Sequence, residues 1–242
     1  MIAGTKLLVV SGHAADYVWR AGGTIAKYIK EGAEVHVLVL SFGVRGESND
    51  LWKQPDQNAK RVQEIRKGET ESAAAILGIQ NIEFWGLQDY PIPLGLQEEE
   101  RLTRKIREVA PDIIITHDKH DIMNPDHNDI HEFVHRCSVM STSAGVELEG
   151  TKPVKQMRIY GFEPHQTELS SYKPGSFVDI TDTYEQKIRA MQCFKAQSHL
   201  IEYYTQRAFM RGNHARRLSG NNSYKYAESF ANLFPAVGGE LY

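Results

Sequence analysis

The first half of the chain alternates short apolar runs with stretches of helical spacing. Residues 7–11, 34–42, 82–85 and 111–117 read as strands, and residues 19–30, 58–77 and 96–109 read as helices. The run at 7–11 is apolar at nearly every position, which indicates a strand covered on both faces. This alternation predicts an α/β fold, a Rossmann-like doubly wound and mostly parallel sheet with right-handed crossovers.

The second half of the chain is less regular. Strands are predicted at 157–162 and 176–180, and helices at 127–143, 183–195 and 199–211. The tail, residues 219–242, is rich in aromatic and small residues and shows no clear period. Because no repeat or low-complexity linker interrupts the pattern, we expect one domain over residues 1–242 with a C-terminal elaboration.

Composition excludes several classes of protein. The net charge is -3 with scattered Lys and Arg, which does not suggest nucleic-acid binding. Only two cysteines occur, which fits a reducing compartment. The first apolar run is short enough for a strand, and no apolar stretch has the length of a membrane span. We expect a cytoplasmic protein that does not bind membranes, and metabolic enzymes of this size are commonly homo-oligomers.

A histidine and an aspartate follow the first predicted strand. Residues 11–23 read SGHAADYVWRAGG, so His13 and Asp16 lie on a strand-to-helix loop. Open α/β sheets bind ligands at the carboxyl ends of their strands, where such loops lie. One imidazole nitrogen and one carboxylate suit a borderline divalent metal such as zinc. Such a His-x-x-Asp pair alone is weak evidence for a metal site, because it often occurs by chance.

A second histidine-rich segment follows the fourth predicted strand. Residues 116–136 read THDKHDIMNPDHNDIHEFVHR and should lie at the same sheet edge. His117, His120, His127 and His131 are candidates for a third metal ligand. We favour His127, because the Asn-Pro-Asp before it is a turn and cap signal that would hold a ligand rigidly at a helix start. Asp126 either orients a histidine or caps the helix.

These segments resemble the LmbE-like, or PIG-L type, zinc deacetylases. The matching residues are 12–16 (GHAAD), 22–24 (GGT) and 124–127 (NPDH). The resemblance covers essentially the whole chain and implies an LmbE/PIG-L-like fold. It also implies one zinc ion per subunit, held by His13, Asp16 and His127.

Two departures from the deacetylase pattern affect the expected chemistry. The position before the ligand aspartate, an aspartate that acts as general base in those enzymes, is Ala15 here. The first histidine of their HPDH segment is Asn124, which we assign to substrate binding. An alanine cannot accept a proton, so amide hydrolysis by the usual family route is expected to be disabled.

Longer segments resemble a divergent branch of this superfamily, the 4-oxalomesaconate hydratases. They are residues 11–23, residues 41–48 (SFGVRGES) with 51–52 (LW), and residues 162–166 (FEPHQ). In that branch alanine at the base position is normal. The resemblance implies that Glu47 and His165 carry out acid–base catalysis, and it leaves open which is the acid. Val44 stands where the branch has a glutamate.

The substrate of that branch carries several carboxylates, so fixed cationic donors are expected. Arginine offers bidentate geometry to such groups. Arg20 and Arg45 lie inside the two motifs and are predicted to bind substrate. The later basic cluster at 211–217 (RGNHARR) either binds the same anionic substrate or is a solvated surface, and the sequence leaves this open.

Three alternative functions are consistent with these motifs. The first is a zinc-dependent hydratase that converts 4-oxalomesaconate to 4-carboxy-4-hydroxy-2-oxoadipate, in gallate and protocatechuate breakdown. The second is a zinc-dependent deacetylase of an N-acetylglucosaminyl or related amide, with a displaced base such as Glu47 or Asp126. The third is a non-catalytic binding protein, which the three ligand candidates argue against. The hydratase is preferred because Ala15 occurs together with Glu47 and His165 in their matching motifs.

Overall fold

The computed structural model describes residues 2–237. The strands are β1 (Lys6–Ser11), β2 (Glu34–Ser41), β3 (Asn81–Leu87), β4 (Ile113–His117), β5 (Arg158–Phe162), β6 (Ser176–Asp179) and β7 (Ala227–Asn232). The helices are α1 (Asp16–Lys30), α2 (Asn49–Trp52), α3 (Ala59–Leu77), α4 (Leu96–Val109), α5 (Pro125–Thr142), α6 (Tyr184–Met191) and α7 (Leu200–Ser219). Among these residues, no helix is both long and apolar enough to pass through a bilayer.

One mixed sheet organises these elements. Its strands lie in the order β3-β2-β1-β4-β5-β7-β6. The pairs from β3 to β5 are parallel, whereas β7 runs antiparallel to both β5 and β6. The predicted doubly wound, mostly parallel sheet is therefore confirmed. The antiparallel strands β6 and β7 belong to the C-terminal elaboration.

Both faces of the sheet are covered, as the continuous apolar run of β1 predicts. Leu7 and Val9 belong to the apolar cluster formed with α1, α3 and α6. Leu8 and Val10 belong to the opposite cluster, formed with α4 and α5. Alternate residues of one strand thus support two layers of helices.

The structure corrects three sequence predictions. The last helix continues beyond residue 211 to Ser219. Gly212 allows this polar part of the helix to pack closely against the chain before β7. A side chain at Gly212 would lie 2.0 Å from the Lys225 carbonyl oxygen. Strand β7 lies in the unassigned tail, where its sequence, AESFAN, has no apolar alternation. The predicted helix 183–195 ends at Met191.

A buried carboxylate explains the Gly-Gly-Thr segment inside α1. The Glu228 carboxylate accepts hydrogen bonds from the backbone N–H groups of Gly23 (3.0 Å) and Thr24 (2.7 Å), and it pairs with Lys187 at 2.6 Å. A side chain at Gly23 would meet Ile180 at 2.6 Å, so only glycine allows this approach. The segment thus serves packing between α1 and the C-terminal elaboration.

Candidate active site

The site lies where the strand order of the sheet reverses. From β1 the chain moves to β2 on one side, and from β4 it moves to β5 on the other. The loops after β1 and β4 therefore diverge and leave a crevice at the carboxyl edge, where doubly wound sheets bind ligands. A cavity of about 210 Å³ opens there. Six of the predicted site residues line it: Asp16, Arg20, Glu47, Asn124, His127 and His165.

The loop after β1 is held by its own polar groups. The Ser11 hydroxyl donates to the His13 carbonyl oxygen (2.7 Å) and accepts from the Tyr17 N–H (3.2 Å). The Asp16 carboxylate accepts from the His13 N–H at 2.8 Å. A Cβ at Gly12 would lie 2.6 Å from Ile130 Cδ1 and 3.0 Å from His117 Nε2, so any larger residue in this turn would force its neighbours to shift. The tight turn directs His13 and Asp16 towards the same point.

Four donor atoms converge beneath the cavity. His13, Asp16, Glu47 and His127 each offer one atom, and these atoms lie within 4.8 Å of one another. His13 Nδ1 lies 3.2 Å from His127 Nε2, 3.3 Å from Asp16 Oδ2 and 3.3 Å from Glu47 Oε1. His127 Nε2 lies 3.4 Å from Asp16 Oδ2. The cluster could hold a metal ion.

Hydrogen bonds behind the two histidines turn their lone pairs towards each other. His127 Nδ1 donates to Asp121 Oδ2 at 2.9 Å, and His13 Nε2 donates to Asp126 Oδ2 at 3.3 Å. In the neutral tautomers the facing nitrogens, His13 Nδ1 and His127 Nε2, then both carry lone pairs. Facing lone pairs repel unless a proton or a metal cation lies between them. A tetrahedral ion bound at about 2.0–2.1 Å sets its ligand atoms about 3.3–3.4 Å apart, close to the distances found here.

Asp121 was missed by sequence reasoning. Burial would raise its pKa, but the hydrogen bond from His127 and the charge of Arg20 outweigh burial and lower the pKa to about 2. The carboxylate is therefore ionised and fixes the tautomer of His127, as carboxylates behind metal-binding histidines commonly do. Its position in the same loop, between His117 and His127, was the available signal.

Asp126 contacts His13 rather than its neighbour His127. Its two oxygens also accept from the backbone N–H groups of Tyr90 (2.9 Å) and Ile92 (3.3 Å). Although burial opposes it, the hydrogen bonds from His13 and Tyr90 lower the pKa of Asp126. Of the two roles considered for Asp126, orientation of a histidine fits these contacts. The loop after β3 thereby becomes part of the site.

The other candidate ligands do not belong to the donor cluster. His117 is buried and accepts from the Gly12 N–H through Nε2 (3.0 Å), and burial lowers its pKa well below the usual value. Its ring stacks on His127 with centroids 3.8 Å apart. His131 donates to the His117 carbonyl oxygen at 3.0 Å, and His120 is exposed. His117 and His131 thus serve to position the loop.

Glu47 enters the site from the loop after β2. Asn124 Nδ2 donates to Glu47 Oε1 at 3.3 Å. Asp89 fixes the backbone of this loop, because its carboxylate accepts hydrogen bonds from the backbone N–H groups of Arg45 (2.9 Å) and Gly46 (2.7 Å). Ala15, by contrast, is fully buried in the apolar core. Of the two carboxylates in the donor cluster, Asp16 and Glu47, both line the cavity and Glu47 is the more exposed.

His165 enters from the loop after β5, and α7 holds that loop. Arg207 donates to the carbonyl oxygens of Pro164 (2.8 Å) and His165 (2.6 Å). Arg211 forms a buried ion pair with Glu163, with a 2.9 Å contact through Nε. In the FEPH segment, Glu163 therefore anchors the loop, and the imidazole of His165 faces the cavity. Arg211, left open by the sequence, belongs to this anchor.

The imidazole of His165 is neutral in the free protein. Burial lowers its pKa from 6.5 to about 4, and the charges of Arg20 and Arg207 act in the same direction. Its ring stacks against Tyr203 with centroids 4.5 Å apart. At neutral pH the imidazole is therefore in its basic form, and a negative charge arriving nearby would raise its pKa and favour the protonated form.

The two predicted arginines have different surroundings. Arg20 is buried in the cavity wall, 3.6 Å from both Asp16 and Asp121, and its Nε has no hydrogen-bond partner within the described chain. It therefore has donors left for an anionic ligand. Arg45 is exposed, and its side chain is not among the residues that line the cavity within 2–237. Only its backbone N–H takes part, through Asp89.

Comparisons with known proteins agree with this geometry. Residues 8–138 match the family model described as PIG-L, GlcNAc-PI de-N-acetylase. A protein named 4-oxalmesaconate hydratase from Pseudomonas putida (strain KT2440) is 39% identical over 233 residues, 95% of this chain and 90% of that protein. Diacetylchitobiose deacetylase from Thermococcus kodakarensis is 26% identical over 197 residues, 79% of this chain and 70% of that protein.

A solved structure extends the comparison to the whole fold. The crystal structure of GalB, the 4-carboxy-2-hydroxymuconate hydratase from Pseudomonas putida KT2440, superposes with a TM-score of 0.93 at 38% identity. The superposition covers 98% of this chain and 100% of that one. By identity these hydratases resemble the chain more than the deacetylase does. The match of residues 8–138, together with a 39% identical relative over nearly the full length, means that this chain belongs to the PIG-L family.

Proposed function

We propose that this protein is a metal-dependent hydratase that converts 4-oxalomesaconate to 4-carboxy-4-hydroxy-2-oxoadipate. One observation carries the proposal. Glu47 and His165 line the same cavity as the donor cluster, while the position of the deacetylase base is the buried Ala15. The two Pseudomonas putida relatives, named as hydratases, support the same reaction class. A place in aromatic-compound breakdown, which the resemblance to the hydratase branch implies, stays a prediction.

The metal proposed is zinc, held by His13, Asp16 and His127. Two imidazoles and one carboxylate are a usual ligand set for zinc with an open position. When bound, the ion would stabilise negative charge that develops on a substrate oxygen. Asp121 and Asp126 keep the two imidazoles in the tautomers that present lone pairs to this point.

Glu47 and His165 are proposed to move the protons. Hydration bonds the oxygen of water to one alkene carbon, and one proton of that water ends on the neighbouring carbon. Glu47 is aligned by Asn124, and His165 is in its neutral, basic form before substrate enters. Burial and the positive charges of Arg20 and Arg207 lower the pKa of His165. The carboxylates of a substrate bound beside Arg20 would offset those charges and raise the pKa, so that the protonated imidazole can donate a proton.

The substrate is proposed to be a small anionic carboxylate, held by Arg20. Asn124 adds a polar contact of the opposite kind: its buried Oδ1 has no partner within the described chain and can accept a hydrogen bond from a hydroxyl group or a water, though not from a carboxylate. Cytoplasmic location, assembly into homo-oligomers and one domain over residues 1–242 stay predictions.

The test is hydration of 4-oxalomesaconate by zinc-loaded protein, followed by loss of ultraviolet absorbance. Chelation should stop the reaction and added zinc should restore it. Glu47→Gln should retain zinc and lose turnover, and Glu64→Gln, an exposed glutamate on α3, is the matched control. An unchanged spectrum with zinc-loaded protein of correct fold would refute the proposed substrate.

A deacetylase is the second candidate, because more distant relatives carry that name. Glu47 is then the displaced base, since the Asp126 oxygens are already taken by His13, Tyr90 and Ile92. Acetate released from N-acetylglucosamine, without hydration of 4-oxalomesaconate, would favour this function over the hydratase.

A further inference from the structure

A fully buried arginine lies behind the cavity without any part in the proposed reaction. Arg66 is the largest of the fully buried side chains among the described residues. It pairs with Glu69 at 2.9 Å, donates to the Phe42 carbonyl oxygen at 3.3 Å and donates to Gln197 Oε1 at 2.8 Å. Phe42 begins the loop that carries Glu47, and Gln197 lines the cavity. Arg66 therefore ties two walls of the cavity together.

This contact decides how the Gln197 amide is turned. A guanidinium group has only donors, so the amide must present its oxygen to Arg66 and its NH2 group elsewhere. The backbone of the segment is also fixed, because the Ala196 N–H donates to Glu69 Oε1 at 3.2 Å. Arg66 and Glu69 thus hold Gln197 in one orientation.

The NH2 group of Gln197 is available to a ligand. Gln197 is only 7% exposed, yet it lines the cavity together with Arg20 and His165. Within residues 2–237, Nε2 donates to no protein acceptor, and it is not among the polar atoms sealed from solvent without a partner. Among these residues, Nε2 is thus a partly exposed donor without a protein acceptor, on a side chain that lines the cavity.

We propose that the Gln197 amide NH2 donates a hydrogen bond to a carboxylate oxygen of the substrate, with Arg66 as its positioning residue. The inference rests on the proposed hydratase function and names a second anchor for the anion beside Arg20. A neutral donor adds direction without adding positive charge near His165. Gln197 thereby selects a substrate with a carboxylate at that end.

Gln197→Glu tests this assignment with little change in shape. The new carboxylate still accepts from Arg66, but it presents an oxygen where the amide presented a donor. We expect the KM for 4-oxalomesaconate to rise about 10- to 100-fold, because a hydrogen bond to a charged group is replaced by repulsion. We expect kcat to change much less, with zinc content and melting temperature preserved.

Gln192→Glu is the matched control, because it makes the same charge change at an exposed position five residues away. It should leave KM within about twofold of the parent, as exposed substitutions usually do. Gln197→Met is a second variant, which removes the donor without adding charge. It should also weaken substrate binding.

Calorimetric binding of trans-aconitate, an unsaturated tricarboxylate, separates this inference from the proposed function. If the parent binds trans-aconitate but does not hydrate 4-oxalomesaconate, the hydratase assignment fails, while weaker binding by both Gln197 variants still supports the anchor. If both folded variants bind trans-aconitate and 4-oxalomesaconate as tightly as the parent, the Gln197 assignment is overturned.

Discussion

The two ends of the cavity satisfy their polar groups in different ways. At the end formed by the loops after β1 and β4, both outer histidine nitrogens are bound by carboxylates, Asp126 and Asp121. At the opposite end, His165 is held through its backbone. Arg20 lies between the two ends, 3.6 Å from Asp16 and Asp121, and its Nε has no partner within the described chain. The first end is organised around a point where a cation fits. The second end has donors and a neutral base left for a ligand.

This difference teaches how one fold separates metal binding from substrate recognition. Buried polar groups cost free energy unless they are paired, so the metal end is built with its supporting hydrogen bonds already made. The substrate end leaves hydrogen-bond donors without protein partners, and a carboxylate-rich ligand would bind to these donors. Substitutions at the two ends should therefore have different signatures.

His127→Ala should have the largest effect. Removing a predicted ligand should abolish stoichiometric zinc binding and lower turnover at least about 10⁴-fold, since a bound ion contributes several kcal/mol of transition-state stabilisation. Metal analysis and hydration assays measure both. His120→Ala, an exposed histidine of the same segment, should keep zinc and activity. Retention of zinc by His127→Ala would break the distinction between the two ends.

His165→Asn should lower kcat about 10²- to 10⁴-fold while leaving zinc bound, as expected for a residue that transfers protons. Steady-state kinetics with metal analysis separates this signature from that of His127→Ala. His199→Asn, at an exposed histidine of the cavity lining, is the control. Loss of zinc together with kcat would instead place His165 functionally at the metal end.

Asp121→Asn should have an intermediate effect at the metal end. The amide can turn its NH2 group towards His127 and remove the acceptor that fixes the imidazole tautomer. Loss of such a partner typically costs about 10- to 100-fold in metal affinity or activity. Competition with a zinc chelator measures it, and Asp129→Asn on α5 is the control. Unchanged zinc affinity would contradict the orienting role.

The pKa of His165 predicts a smaller, pH-dependent difference. Its pKa is about 4 in the folded protein and about 6.5 when unfolded. Between these values the unfolded state binds more protons, so this histidine lowers stability as pH falls from about 6.5 towards 4. Urea midpoints of the parent should thus decline more from pH 7 to 5 than those of His165→Asn. Equal declines would mean that His165 titrates normally.

Arg45→Ala should have the smallest effect. Although the motif predicts substrate binding, the side chain is exposed and only the backbone N–H contacts Asp89. Exposed substitutions usually change free energies little, so KM should stay within about twofold. A tenfold rise in KM would show that the side chain reaches the substrate and would restore the sequence-based assignment.

The elements of the first half were predictable because their signals are local. Continuous apolar runs mark strands buried on both faces, and Gly78, at φ +82°, ends α3 as a glycine in the left-handed region should. Strand β7 was not predictable, because its pairing with β5 and β6, rather than its own pattern, makes it a strand. Tertiary contacts override a weak local preference there.

The sequence by itself determined the fold class, the loops that carry chemistry and the residue types offered there, since strand–helix alternation sends every parallel loop to one sheet edge. Only the tertiary structure decided which atoms meet. It paired Asp121 with His127 and Asp126 with His13, joined Arg66 to Gln197, and left Arg45 outside the cavity. These contacts join residues from different loops and helices, and side-chain hydrogen bonds depend on distances that no sequence spacing specifies.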